Sequence, residues 1–506
     1  MKENFRRLVD GERFLLLQLI ISVVSFLIFC APGFAVPTFC QIAEFSPSVH
    51  SFKVSCTVSE LPPNGKFEMR FVDRFAGIEK LSERVFSLRI KDANGQRILP
   101  EILGNGIYRF NAGNAADISF AYEIRLAQVM GTSVDPGRYA LTTSLSPQVG
   151  FILLADILPV LCVVNGKTCL DSVVRLKINA PDDWQIATTE RESYGAFEVA
   201  DVQKAVFFLG QMRSQTINIG SLHMQIAIAG ERNLSDVQVA LLAGAIAREQ
   251  AAIMGNTAEN NFLVTLMPFP VPITGLRSAA LTRGRTVILL LNPDDDLSRT
   301  LKHYQKHLAH EMFHFYLPEA FAVRENFDWF WEGFSRYIGL LTLNRLKLIG
   351  LSELLKEMSN EDAMYQANPV RETVSLLAAS PEKFANAANY DLVYRKGTLV
   401  AWLYDLELRR QSKGQRNVTY VLREMYQNYH DNKNEIGNRE VLSSLRNPGK
   451  FDKLIRDYIE GTKKLELAET LSPYGLLSDK NPGRQRISVN PKLSAQQNAL
   501  LAQFGH

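Results

Sequence analysis

The feature that most constrains this chain is a change of texture near residue 180. Before it, the runs FKVSCTVSEL, KFEMRFVD, RVFSLRIKD, ISFAYEIRLAQV and VVRLKINAP alternate or are rich in β-branched and aromatic residues. They are cut by PPNG, DANG, GNG and DPG turns. Such a series predicts a β-sandwich-like domain over 36–180. After it, HMQIAIAG, NNFLVTLMPF and RTVILLLN read as strands around a long helix, SDVQVALLAGAIAREQAAIMG, opened by a Ser235/Gln238 capping box. Beyond Leu301 the pattern is mostly helical to about 465. A chain of 506 residues exceeds one ordinary core. The expected fold is therefore α+β and multidomain: the β-sandwich-like domain, then a second domain over 181–475, mixed to about 345 and helical after it. The weakly patterned stretch 476–506 is expected to be a tail.

The first 35 residues read as an export signal. Lys2, Arg6, Arg7 and Arg13 precede an apolar run from Phe14 to Cys30, and Gly33 and Ala35 stand at the small positions of a cleavage site. Cleavage after Ala35 would release the chain to the periplasm or the extracellular space. Retention would leave residues 14–30 as a membrane anchor with the rest outside the cytoplasm. Without Cys30, four cysteines remain, an even number suited to an oxidising compartment. Proximity favours Cys40 with Cys56 and Cys162 with Cys169, among three possible pairings, and Asn165-Gly166 in CVVNGKTC suits a tight hairpin turn. A net charge of +3 offers no field for nucleic acid, so none is expected as a partner.

The chemistry concentrates in HLAHEMFHFYL, residues 307–317, which holds three of the chain's 8 histidines. His310 and His314 are four apart, so on a helix they share one face and can reach one metal ion. Glu311 then points to the side from which water would attack and can take its proton. Leu308, Met312, Phe315 and Tyr316 would bury the same helix whether or not it holds metal. A third ligand separates the two readings, and Glu332 in ENFDWFWEGFSRYIGLL supplies it. Asp328 is a reasonable N-cap for that second helix. Two histidines and one glutamate leave a fourth zinc position open, as hydrolysis requires. His303 and His307 are expected to be exposed or capping rather than ligands, and Trp329 and Trp331 to pack the second helix.

HEMFH followed by WFWEGFSRY resembles the gluzincin metallopeptidases, whose third ligand is a glutamate in a helix of this kind. VYRKGTLVAWLYDLELRRQSKG, residues 393–414, resembles more specifically the glycyl-aminopeptidase-like family. Weaker likeness runs through FILLADILP, INAPDDWQIAT and RDYIEGTKKLELAETLSPYGL. The resemblance implies a thermolysin-like catalytic domain, one Zn2+ per chain on His310, His314 and Glu332, Glu311 as general base, and a peptide or protein substrate. It also nominates Tyr394 as the hydroxyl that stabilises the oxyanion, with Tyr390, one turn earlier, as a competitor.

Two departures stand out. Where relatives carry a glutamate that grips a substrate's amino group, ITGLRSAAL has Arg277, which would attract a carboxylate instead and favour endopeptidase or altered specificity. The stretch after Gly475 is also too short for the PDZ domain that many relatives append. Arg336, one turn after Glu332, could orient that carboxylate or bind substrate. A peptide-binding protein with an idle zinc site and a zinc hydrolase of non-peptide substrates are the competing classes. Intact Glu311 and Tyr394 weigh against the first.

Overall fold

The computed structural model describes residues 35–505 except 64, 127–140, 165–168, 232, 256–259, 270–277, 293–295, 431–433 and 480–485. Nearly all of the segment read as an export signal, the expected turn at Asn165-Gly166 and Arg277 lie outside the described residues. In the first half, alternation does what it predicts. Along Ser51–Val58, Phe52, Val54, Cys56 and Val58 point inward, while Lys53, Ser55 and Thr57 face out. This strand lies inside an eight-stranded sheet, beside Ala35–Ser46 and Ile118–Arg125. Two four-stranded sheets cover its inner face. One is centred on Gly65–Arg70 and Ile107–Gly113, the other on Val149–Leu153 and Val206–Gly210, and all three share one apolar core. Cys40 stands directly opposite Cys56 in the strand register and is bonded to it, and Cys162 is bonded to Cys169.

The β-domain ends after Gly210, not at 180. Gln185–Thr188, Arg191–Ser193, Ala196–Val199 and Val206–Gly210 all pair into its sheets. The turn from Pro181 to Trp184 carries the chain from Asp171–Ile178 in the eight-stranded sheet to Gln185–Thr188 in a four-stranded one. Val206–Gly210 (VFFLG) is buried along its whole length because both its faces are covered. Phe207 and Leu209 enter the β-domain core, whereas Val206 and Phe208 pack against Ala227, Leu263, Ile288 and Leu290 of the following domain.

That domain opens with a five-stranded sheet in the order Arg213–Ile219, Leu222–Ile228, Asn261–Pro268, Thr286–Leu291, Ser278–Arg283. The middle three strands run parallel and both edge strands antiparallel. Helix α1 (Asp236–Met254) makes the crossover and carries the expected capping box on Ser235 and Gln238. Four further helices build the site: α2 (Leu297–Phe313), α3 (Asp328–Arg345), α4 (Leu351–Ala367) and α5 (Ala387–Gln411). In stretch 476–506, expected as a tail, the described residues fold back on them. Leu476–Ser478 pairs with Ile487–Val489, and Leu500, Leu501 and Phe504 are buried in the helical core. Its few apolar residues were too sparse to show a period, yet Leu500, Leu501 and Phe504 are buried, and the Arg409 guanidinium of α5 lies over the Phe504 ring at 4.6 Å.

Candidate metal centre

Helix α2 is started by Asp296, whose side chain accepts from the Arg299 backbone N–H. It ends at His314, so both histidines sit in its last turn. Gln250 of α1 donates to the carbonyl of Ala309 at 2.7 Å and pins that turn from behind. Two backbone-to-backbone crossings place the other helices. A Cβ on Gly339 would lie 3.0 Å from the backbone nitrogen of His310, so α3 runs hard against α2. A Cβ on Gly333 would lie 2.5 Å from the carbonyl carbon of Gly397, so α5 crosses α3 equally closely. Glycine at these points brings His310, Glu332 and Tyr394 onto a common space.

There, three donor atoms converge. His310 Nε2 and His314 Nε2 are 3.3 Å apart, and Glu332 Oε2 is 3.4 Å from the first and 3.5 Å from the second. A tetrahedral ion with bonds of about 2.0–2.1 Å needs ligand atoms roughly 3.3 Å apart. The triangle therefore fits such an ion. The His314 ring is oriented for it, because Nδ1 donates to the Leu317 carbonyl at 2.8 Å and leaves Nε2 turned inward. Among the described residues this is the one group of histidine, cysteine and acidic side chains that could hold a metal ion. Burial opposes protonation of His314, but the hydrogen bond and charge of Glu332, helped by Glu311, outweigh it and raise its pKa to about 9.

Glu311 lies beside the triangle, Oε1 being 4.0 Å from His310 Nε2. The Thr282 hydroxyl is within reach of both Glu311 Oε2 (2.7 Å) and the Glu311 carbonyl (2.8 Å), which fixes the carboxylate against strand Ser278–Arg283. The Tyr394 ring is 6.5 Å from the His310 ring and 4.6 Å from that of Tyr390. Burial, then the charges of Glu332 and Glu311 with Tyr390, hold the Tyr394 phenol well above its usual pKa. It remains a hydrogen-bond donor.

Several expectations change. Asp328 occupies the first position of α3, with Phe327 as its N-cap, and its carboxylate pairs with Lys383 instead. Arg336 does not orient Glu332. Its Nε and Nη2 donate to Glu361 at 2.9 and 2.6 Å, and Arg395 pairs with the same carboxylate. His307 is neither exposed nor capping. It is half-buried, and burial, followed by its neighbours His310 and Arg336, pushes its pKa down to about 3. Trp329 is fully buried in α3, and Trp331 packs on Phe327. Two participants, Lys383 and Thr282, went unnoticed in the sequence. Lys383 Nζ is 2.9 Å from Glu332 Oε1 and 2.7 Å from Asp328 Oδ2, and both carboxylates raise its pKa against the effect of burial. Burial works against the Glu332 anion, but Lys383 and the two histidines keep its pKa well below the usual carboxylate range. Lys383 lies 51 residues beyond Glu332, with no spacing rule to point to it.

No family model and no curated protein matches this sequence. Solved structures do. The aminopeptidase N family protein from Idiomarina loihiensis aligns with a TM-score of 0.74 at 17% identity, covering 91% of this chain and 82% of that one. The M1 zinc metallopeptidase from Deinococcus radiodurans gives 0.53 at 15% identity, covering 86% and 96%. Its glutamate-to-alanine mutant bound to a Tyr-Ser-Ala substrate gives 0.54 at 13%, again over 86% and 96%. The fold is that of the M1 zinc metallopeptidases.

Proposed function

We propose that this chain is an exported zinc-dependent peptidase of the gluzincin type, akin to the glycyl-aminopeptidase-like family. The observation that carries the reading is the triangle of His310 Nε2, His314 Nε2 and Glu332 Oε2, whose edges of 3.3 to 3.5 Å suit tetrahedral zinc. One ion per chain would be held there, polarising the scissile carbonyl and lowering the pKa of water. Glu311, anchored by Thr282, takes the proton of the attacking water and returns it to the leaving amine. The Tyr394 hydroxyl, kept protonated by its surroundings, donates to the oxygen on which negative charge develops.

A peptide substrate is supported by the strand next to Glu311. Ser278–Arg283 is an edge strand whose outer side has no partner strand among the described residues, so an extended backbone can add to it. Relatives in fold bind peptide and amino-acid ligands, among them Tyr-Ser-Ala. Arg336 is surrounded by protein, yet 34% of its side chain reaches water, one helical turn from Glu332. With Arg395 it pairs with Glu361, and Arg395 also reaches Asp391 Oδ1 at 3.6 Å, so these two guanidiniums are balanced by two carboxylates. Arg277, from its place in the sequence, would favour a substrate carboxylate. Export is supported by the disulfides Cys40–Cys56 and Cys162–Cys169, which suit an oxidising compartment.

Removing metal with a chelator should abolish peptide hydrolysis, and about one equivalent of Zn2+ per chain should restore it. Hydrolysis that survives complete metal removal would overturn the reading.

A further inference from the structure

Glu332 has two carboxylate oxygens, and only Oε2 faces the imidazoles. The other, Oε1, accepts a hydrogen bond from Lys383 at 2.9 Å. Lys383 is 5% exposed, an unusual place for an ammonium group, and its second contact is Asp328 Oδ2 at 2.7 Å. Asp328 and Glu332 are four residues apart on α3, two buried acids on one helix face that would repel each other without a cation between them. The lysine therefore satisfies both and is held by both.

Its backbone is equally fixed. The segment from Ser380 to Asn386 links the short helix Leu376–Ala379 to α5. The Trp329 backbone N–H donates to the Ser380 hydroxyl at 2.9 Å, tying this segment to the first turn of α3. Asn389 donates to the Glu382 carbonyl at 3.2 Å and ties it to α5. The Phe384 and Tyr394 rings flank the ammonium, their centroids 4.7 and 5.5 Å away. Nothing here is a loosely held surface ion pair.

We propose that Lys383 is a positioning residue for the metal: by occupying Glu332 Oε1, with Asp328 as its anchor, it restricts Glu332 to binding through Oε2 alone and keeps the coordination number low. A carboxylate with both oxygens free can chelate a divalent ion, filling the position that substrate and water require. Lys383 also draws electron density from the ligand carboxylate, which leaves the metal the stronger Lewis acid. This inference rests on the zinc reading above and adds a residue outside the HExxH and glutamate motifs.

Affinity alone would mix two opposing effects, loss of an ordered ligand and loss of a nearby positive charge, so coordination number is the readout. Co2+ is loaded in place of Zn2+ into the full exported chain and into Lys383→Met, and the visible d–d absorption is compared. Wild type should show the intense bands of a low-coordinate ion. Lys383→Met should still take up one Co2+ but lose much of that intensity as Glu332 becomes bidentate, and Lys383→Arg should recover it. A Lys383→Met spectrum identical to wild type would overturn the proposal. X-ray absorption on the Zn2+-loaded wild-type protein tests it without any variant: both Glu332 oxygens on the ion would also overturn it. Failure of wild type to take up Co2+ or Zn2+ at all would remove the metal-site reading itself, and this proposal with it.

Discussion

At the scale of single residues, the site is a set of buried charges that each have a counterpart. Glu332 has Lys383 and two imidazoles, Asp328 has Lys383, and Glu361 has two arginines. Tyr394 is the neutral member, kept protonated by burial and by the nearby carboxylates. Tyr394→Phe should lower kcat by roughly 100- to 1,000-fold while zinc content stays unchanged. An unaltered kcat would hand the role to Tyr390. Lys396, two residues on, is different. It is fully buried, its Nζ has no hydrogen-bond partner, and burial lowers its pKa to about 8 from 10.5. Between those two values the unfolded chain binds the proton and the folded one does not, so stability rises with pH across that window. Below it, the buried ammonium costs on the order of 3 kcal/mol. Lys396→Met should therefore stabilise the protein at about pH 7 and flatten the alkaline rise, as measured by urea unfolding at several pH values. A variant that keeps the same rise would show that another group causes it.

At the scale of elements, the two helix motifs were legible because their chemistry and their packing use the same short stretches. HEMFH places both imidazoles and the general base in one turn, and WFWEGF supplies the third donor one position before Gly333. The glycines in EGF and RKG are needed where α3 and α5 touch backbone to backbone, which is why those stretches carry the resemblance as strongly as the ligands do. Gly333→Ala would force the helices apart. It should cost about 1–3 kcal/mol in stability and reduce kcat more than zinc affinity, since Tyr394 moves with α5 while His310, His314 and Glu332 remain on α2 and α3. Equal losses in both would mean that the crossing supports the metal ligands instead. What stayed hidden was whatever depends on distant segments meeting. Lys383 sits in a connection without periodicity, and Thr282 in an edge strand, so neither has a local pattern that marks it. Asp328 looked like a cap because aspartate before a helix usually is one. The nearby lysine competes for it and wins.

At the scale of the whole molecule, alternation and turn residues made the β-sandwich and the mixed domain readable, but the joint between them was not. Val206–Gly210 is apolar on both faces because two domains share it, and no local rule distinguishes that from a strand inside one domain. The last thirty or so residues were misread for the related reason that Leu500, Leu501 and Phe504 are buried by helices far away in sequence. The shared strand joins the β-domain to the mixed domain, and the C-terminal stretch docks on the helices that carry the candidate metal centre. The central claim is that this centre cuts peptide bonds with Glu311 as the base. The most direct measurement incubates the chain from Val36 onward, zinc-loaded, with a mixed peptide library beside Glu311→Gln, and maps new termini by mass spectrometry. New termini should appear with the wild-type protein and fall by about 100- to 10,000-fold in rate with the variant, although both bind zinc. Identical peptide maps from the two proteins would contradict it.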